Sequence, residues 1–306
     1  MEIEKKLTIC IPTYNRAKFI ERQLTFFEEE FKNNQHLAEH VNCIVADNAS
    51  SDNTAEFLSR YNEENNFFEY QTNSDNLGLV GNIVNLLGLS RTEYVWFVSD
   101  DDDLKPGIVK KILEIISSSN NLDFILLNIS VLGKKNFQGK SGLRTDAKKA
   151  AMEVFREHYG SLVLMSACIY KRENLMELSD NKMFKWLAAP LLYSFYSCTK
   201  GHAYITDDIW IHYRYGDATY AGFKTISKLK FEEFVPILEY LPNLGYDECE
   251  TKKTIKKFFE QQSHAHLLYN WVNLKNSIRL YKYYGIRTFL AIPGNIAHYL
   301  RKNQEG

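Results

Sequence analysis

Three apolar runs, Leu7–Ile11, Val41–Ala46 and Tyr94–Val98, limit what this chain can become. Each is short, almost free of polar alternation, and stops abruptly at polar residues. Runs of this kind are buried on both faces, as strands inside a parallel sheet are. Helical patterns lie between them. Phe19, Ile20, Leu24, Phe27 and Phe31 fall near helical spacing over residues 17–31. A second helix starts near Asp52, with Ser50, Ser51 or Asp52 as its cap, and runs through Phe57 and Leu58. A third covers Asn82 to Leu89, and a fourth follows Pro106-Gly107 from Ile108 to Ile116. Phe67–Gln71 and Leu122–Ile129 complete the strands. Strand–helix alternation needs crossover connections, so the pattern predicts an α/β fold: a mostly parallel sheet flanked by helices.

The second half is less regular. Residues 133–149 are polar and glycine-containing and read as a loop. Leu162–Tyr170 is apolar, Pro190–Thr199 reads as a helix closed by Gly201, and 203–206 and 209–213 read as two short strands. Beyond Thr225 the pattern stays helical. The expected organisation is therefore an α/β domain over residues 1–224 and a helical, basic subdomain over 225–306.

Charge sharpens that division. The chain carries a net −1, but from Lys252 onward ten cations meet only Glu260 and Glu305, a local net of +8. The body is correspondingly acidic, which suggests an acidic site there and an anionic partner for the tail. The five cysteines are scattered with no Cys-x-x-Cys spacing and suit core packing in a reducing compartment. The charged start, Met1–Lys6, lacks the apolar segment of a leader, and no apolar stretch is long enough to span a bilayer. The expected location is cytoplasmic.

In open α/β sheets, ligands bind beyond the carboxyl ends of the strands. Three such ends here are polar: Thr13-Tyr14-Asn15-Arg16, Asp47-Asn48-Ala49-Ser50, and Ser99 followed by Asp100, Asp101, Asp102 and Asp103. Four adjacent carboxylates repel one another and call for a cation, such as a divalent ion carrying a phosphorylated ligand. A solvated acidic turn capping the next helix is the other reading. No Gly-x-Gly-x-x-Gly or Gly-Lys-Ser/Thr loop follows the first strand, which argues against a dinucleotide fold and a P-loop nucleotidase.

Together these segments resemble family 2 glycosyltransferases. Thr8–Arg16 resembles the family's first strand and turn, and Val45–Thr54 its second-strand motif. Asn76-Leu77-Gly78 with Gly81-Asn82 resembles the Asn-x-Gly segment, and Phe97–Gly107 the Asp-x-Asp segment with its trailing Pro-Gly. The resemblance covers residues 7–130 well and 160–215 loosely. It implies a GT-A fold and a nucleotide-diphospho-sugar donor. Pro12, Thr13 and Tyr14 would border the nucleoside pocket, Arg16 would lie near the phosphates, and Asp47 would accept a hydrogen bond from a pyrimidine imide. Asp100 would face the ribose. Asp101 would hold Mn²⁺ or Mg²⁺, with Asp102 as the other candidate ligand. His212 could complete the metal shell and Arg214 touch the diphosphate, unless His212 is a plain surface residue. Asn76 and Gly78 suit either ligand contact or a turn. Asp103 departs from the pattern.

A second departure concerns the base. The family's acid about a dozen residues before the helix-ending glycine is replaced here by Ala189-Pro190, and neither can take a proton. Asp180, Asp207, Asp208 and His212 are the remaining candidates. The resemblance thus implies a metal-dependent, inverting transfer of sugar from a nucleotide diphosphate donor, UDP-linked, to a surface polysaccharide or lipid-linked oligosaccharide. A non-catalytic sugar-nucleotide-binding member of the fold and a metal-dependent nucleotidyltransferase are the alternatives. In the tail, Lys252, Lys253, Lys256 and Lys257 interleave with Tyr269, Trp271, Tyr281, Tyr283, Tyr284, Phe289 and Tyr299. No nucleic-acid motif accompanies them; anionic membrane at its inner face, or a homo-oligomer contact, suits them better.

Overall fold

A computed structural model of the chain describes residues 5–214, 222–271 and 274–284. Two units divide the chain, Met1–Ala218 and Thr219–Gly306.

The first unit runs β1 (Leu7–Thr13), α1 (Ala17–Asn33), α2 (Leu37–His40), β2 (Val41–Asp47), α3 (Thr54–Glu64), β3 (Glu69–Thr72), α4 (Gly78–Leu89), β4 (Tyr94–Phe97), β5 (Asp103–Leu104) and α5 (Ile108–Ser118). It continues through β6 (Leu122–Val131), β7 (Lys134–Lys135), β8 (Gly142–Arg144), α6 (Ala147–Glu157), β9 (Cys168–Lys171), α7 (Arg172–Glu177), α8 (Ala189–Ser197) and β10 (His202–Tyr213). One sheet takes the order β3-β2-β1-β4-β9-β6-β10-β5, with β7 on β6 and β8 on β10. β1 pairs in parallel with β2 and β4, β2 with β3, and β6 with β10. β9 is antiparallel to both β4 and β6, so those two share a direction. Thr13, Asp47, Phe97, Val131 and Tyr213 therefore end their strands on one edge.

Burial explains the strands. Every residue of β1 and β4 is buried, and Trp96 meets Phe27 of α1 edge to face with centroids 6.1 Å apart. α1 also stabilises its neighbour. The buried Glu30 accepts from Gly107 N at 2.7 Å and Val109 N at 3.3 Å, satisfying donors that the start of α5 leaves unpaired.

Several boundaries differ from expectation. Residues 133–149 are not a bare loop: β7, β8 and the first turn of α6 lie inside them, because 136–144 runs back along β6 and β10. The two expected strands over 203–213 are one strand, β10, irregular between Ile205 and Ile211. Asp207 and Asp208 therefore sit within a strand, not in a turn. β3 begins at Glu69, since Phe67 and Phe68 turn inward to stack with one another and with Phe31 and Tyr61. The expected boundary at 224/225 lies inside α9 (Phe223–Lys228).

The second unit contains α9, a wide-turn segment Leu229–Phe234, α10 (Val235–Tyr240), α11 (Glu248–Glu260), α12 (His264–Trp271) and α13 (Leu274–Tyr284). Phe231, Phe234, Phe258 and Phe259 form its core. Arg279 ties α13 to α10 through Glu239 at 3.0 Å. Arg287, Phe289, Tyr299, Arg301 and Lys302 lie outside the described residues. Among the described residues, no helix is long and apolar enough to cross a membrane.

Candidate active site

The carboxyl ends of β1, β2 and β4 supply three turns that are bonded to one another. Asn15 has φ 54°, a left-handed conformation that asparagine tolerates, and from it Oδ1 accepts from Ser51 N at 2.7 Å. Asn15 N in return donates to Ser50 Oγ at 2.8 Å. Ala49, at φ 60°, takes the same conformation without asparagine's compensation. The strand ends Thr13 and Asp47 are thereby held side by side, in register in the β1–β2 ladder.

Asp47 is fully buried, and its two oxygens differ. Oδ1 accepts from the Ser50 hydroxyl and from Ser50 N at 3.2 Å. Oδ2 is buried with no hydrogen-bond partner. Beside it stands a network of side-chain amides. Asn48 Nδ2 donates to Asn76 Oδ1 at 2.8 Å, Asn73 Nδ2 to Asn82 Oδ1 at 2.9 Å, and Asn82 Nδ2 to Ala46 O at 2.8 Å. Asn76 Oδ1 also accepts from Gly78 N at 2.8 Å, and Gly78 has φ +70°. Asn76 and Gly78 thus shape the turn that leads into α4. Both residues stand exposed beside the strand end.

The acidic turn is organised around a guanidinium. Arg16 Nη1 donates to Asp100 Oδ1 at 2.9 Å and to Asp101 Oδ2 at 2.8 Å. Thr13 Oγ1 donates to Asp100 Oδ2 at 2.8 Å, and Ser99 Oγ to Asp101 Oδ1 at 2.5 Å. Both oxygens of Asp100 are therefore held within the protein. Burial nevertheless raises its pKa to about 6, against the opposing pull of Arg16 and Thr13. Burial lowers the Arg16 pKa, and Asp100 and Asp101 outweigh it, so the net shift is upward. Asp102 is raised further, to about 7, by burial first; its bond to Ser166 opposes this, and Asp101, Asp103 and Asp100 add to it. Asp102 Oδ1 is buried without a partner. Asp103 pairs with Arg214 Nε at 2.9 Å while its side chain stays 42% exposed.

The remaining candidates scatter. Pro12 is buried in β1, and Tyr14 stands 42% exposed at the turn. His212 lies opposite Asp103 in the β10–β5 pair, with Nδ1 2.6 Å from Ser130 Oγ. Among the described residues no three His, Cys, Asp or Glu side chains are gathered around one ion position, so His212 does not join Asp101 and Asp102 in a ready-made metal shell. Asp207 accepts from Lys135 Nζ at 2.5 Å and from Gly139 N at 3.0 Å. Asp180 and Asp208 are exposed. At the start of α8, Ala188 and Ala189 are buried, so no proton acceptor stands there.

A sequence model described as "Glycosyl transferase family 2" matches residues 8–177, more than half the chain. The chain belongs to glycosyl transferase family 2. The abequosyltransferase RfbV of Salmonella typhimurium is 28% identical over 53% of this chain and 48% of its own length. The chain thus spans about half of that relative. A Campylobacter jejuni GalNAc(5)-diNAcBac-PP-undecaprenol beta-1,3-glucosyltransferase is 24% identical over 90% of this chain and 86% of its own length. The crystal structure of S. aureus TarS 1-349 in complex with UDP-GlcNAc superposes with TM-score 0.62 at 17% identity, covering 88% of this chain and 74% of that one. The fold is GT-A, and the matching family is one of glycosyl transferases.

Within that family frame, sequence reasoning missed the residues that hold the turn. Arg22 Nη2 donates to Asp101 O at 2.8 Å, and Ser166 Oγ accepts from Ser99 N at 2.9 Å. Neither lies near the acidic turn in sequence. The amide network had a visible trace, since Asn73, Asn76, Asn82 and Asn85 crowd one short segment.

Proposed function

We propose that the enzyme is a metal-dependent, inverting glycosyltransferase that takes its sugar from a UDP-linked donor. Its acceptor is a hydroxyl of a cell-surface polysaccharide or lipid-linked oligosaccharide. One observation carries the donor reading: Asp47 Oδ2, a buried acceptor without a partner at the carboxyl end of β2. A buried carboxylate oxygen left unpaired destabilises the protein until a donor reaches it. The imide N–H of uracil is such a donor. The name of the glucosyltransferase relative, with its polyprenyl diphosphate-linked glycan, supports the acceptor class. The UDP-GlcNAc bound to TarS supports the donor class.

The acidic turn fits a hard divalent cation. Its donors are carboxylate oxygens, Asp102 Oδ1 has no partner, and the position already attracts a positive group, Arg16. Asp101 and Asp102 would hold Mn²⁺ or Mg²⁺, which when bound neutralises charge on the departing diphosphate. The protein's own residues do the rest. Asp47 fixes the base and Arg16 offers its planar fork to phosphate oxygens. The acceptor oxygen attacks the anomeric carbon opposite the diphosphate, the bond from that carbon to the phosphate oxygen breaks, and configuration inverts. The acceptor proton passes to a base on the same edge. Of the candidates, His212 is the one whose backbone pairs with the acidic turn, while Asp207 is already compensated by Lys135. For the second unit, Lys252, Lys253, Lys256 and Lys257 all lie exposed along α11 and would meet anionic lipid, a contact that co-sedimentation with anionic vesicles measures.

Calorimetric titration of UDP, CDP and GDP against the enzyme and its Asp47→Ala variant tests the donor reading. UDP should bind best and lose about 1.5–3 kcal/mol in the variant, the range for hydrogen bonds to charged groups. Unchanged UDP affinity would remove the basis for it. Transfer by Asp101→Ala at the wild-type rate would favour a non-catalytic role for the turn.

A further inference from the structure

A cation already occupies the acidic turn, and it belongs to the protein. Arg16 Nη1 bridges Asp100 Oδ1 and Asp101 Oδ2 at 2.9 and 2.8 Å, and the other oxygen of Asp101 is held by Ser99 Oγ. Both oxygens of Asp101 are therefore engaged. The Arg16 side chain is only 18% exposed, and its guanidinium lies 4.7 Å from the ring centroid of Phe19. Arg22 flanks the same ring at 5.7 Å and grips the Asp101 carbonyl. The turn is thus closed around Arg16 by neighbours on α1.

We propose that Arg16 is a latch on the metal position: it keeps Asp101 closed to a divalent ion until a diphosphate draws the guanidinium away. The inference rests on reading the turn as a metal–diphosphate site. A guanidinium cannot leave by losing its proton, because its pKa lies far above any working pH. It leaves only by turning towards another anion. An incoming divalent ion alone offers none and must break two charge-assisted hydrogen bonds. A nucleoside diphosphate offers phosphate oxygens of matching geometry, so its arrival frees Asp101. Nucleotide and metal then strengthen each other's binding, and the coupling is reciprocal. Arg16 is a positioning residue in this scheme as well as a phosphate contact.

Manganese binding followed by the loss of the free-ion EPR signal tests the latch without reference to turnover. Four titrations are needed: wild type and Arg16→Gln, each with and without UDP. Without UDP, Arg16→Gln should bind Mn²⁺ about tenfold more tightly than wild type, the factor carried by 1.4 kcal/mol. UDP should improve Mn²⁺ binding by a larger factor in wild type than in the variant. Arg16→Lys keeps the positive charge and serves where the glutamine variant proves unstable. It should stay within about threefold of wild type for Mn²⁺ alone, because a point charge still guards the site. Equal or weaker Mn²⁺ binding by Arg16→Gln, or an undiminished UDP effect in it, overturns the latch. If UDP still binds wild type only when Mn²⁺ is present, the metal–diphosphate reading survives that failure. If Mn²⁺ and UDP bind without influencing each other in either protein, both fall.

Discussion

Asp102 is a carboxylate whose ionisation the folded protein resists, and its replacement by asparagine should make the protein more stable at alkaline pH. Burial, reinforced by three neighbouring aspartates, lifts its pKa from 3.8 to about 7. That rise of roughly three units corresponds to a ceiling of about 4 kcal/mol at 1.36 kcal/mol per unit. The folded-state value lies above the unfolded one, so between these pH values the folded protein holds a proton that the unfolded chain has released. Stability is therefore highest at the acid end of the window and falls as pH rises towards 7. Asp102→Asn abolishes this titration. Its amide oxygen can still accept from Ser166, but its NH₂ then takes the buried place of Oδ1, which has no hydrogen-bond partner in the wild type. An unpaired buried donor costs about 1–3 kcal/mol. The variant should gain about 1–3 kcal/mol at pH 8, or roughly 2–4 °C in Tm for each kcal/mol at this domain size. At pH 5 it should be no more stable than wild type. Asp100, raised by burial to about 6, titrates in both proteins, and loss of the neighbouring Asp102 charge eases its ionisation in the variant. Metal-free thermal and urea melts at pH 5 and pH 8 measure the difference. The reasoning is refuted if wild type and variant lose equal stability between those pH values.

Substitutions at three further positions probe the scaffold. Ala49 sits at φ 60°, where a side chain costs about 1–2 kcal/mol, so Ala49→Gly should match or exceed wild-type stability while Ala49→Val falls well below it; chemical denaturation ranks them, and the reverse order would be contrary. Glu30→Gln leaves one carbonyl oxygen where two carboxylate oxygens met Gly107 N and Val109 N, and urea melts should register a loss of about 1–2 kcal/mol. Asn73→Ala removes the amide that joins Asn48, Asn82 and Asn85 and should lose about 2–4 kcal/mol of stability. Because that network supports the turn after Asp47, UDP affinity should also fall, although Asn73 need not touch the nucleotide; wild-type affinity in a destabilised variant would separate the two roles.

The sheet's first half was legible because its strands are buried on both faces, and Leu7–Ile11 or Tyr94–Val98 can satisfy that only in the middle of a layered α/β unit. The second half was not. Asp207 and Asp208 look like a turn in sequence, but the returning segment 136–144 bonds alongside them and keeps β10 continuous. The site divides in the same way. Four consecutive aspartates announce themselves; which oxygens are already taken does not, because Thr13, Arg16 and Arg22 reach them from 79 to 87 residues away. The start of α8 is the harder case. Ala188 and Ala189 are packed so deeply that a carboxylate there would lose its hydration. Under the proposed mechanism the acceptor's proton therefore goes to another of the candidate bases. His212 is held through Nδ1 by Ser130 and carried by the strand that pairs with Asp103. His212→Gln keeps a polar group of similar reach but cannot serve as a base. With UDP affinity unchanged, transfer should fall by about 10²–10⁴, the usual contribution of general base catalysis. A variant that transfers sugar at the wild-type rate would return the choice to Asp180, Asp207 and Asp208.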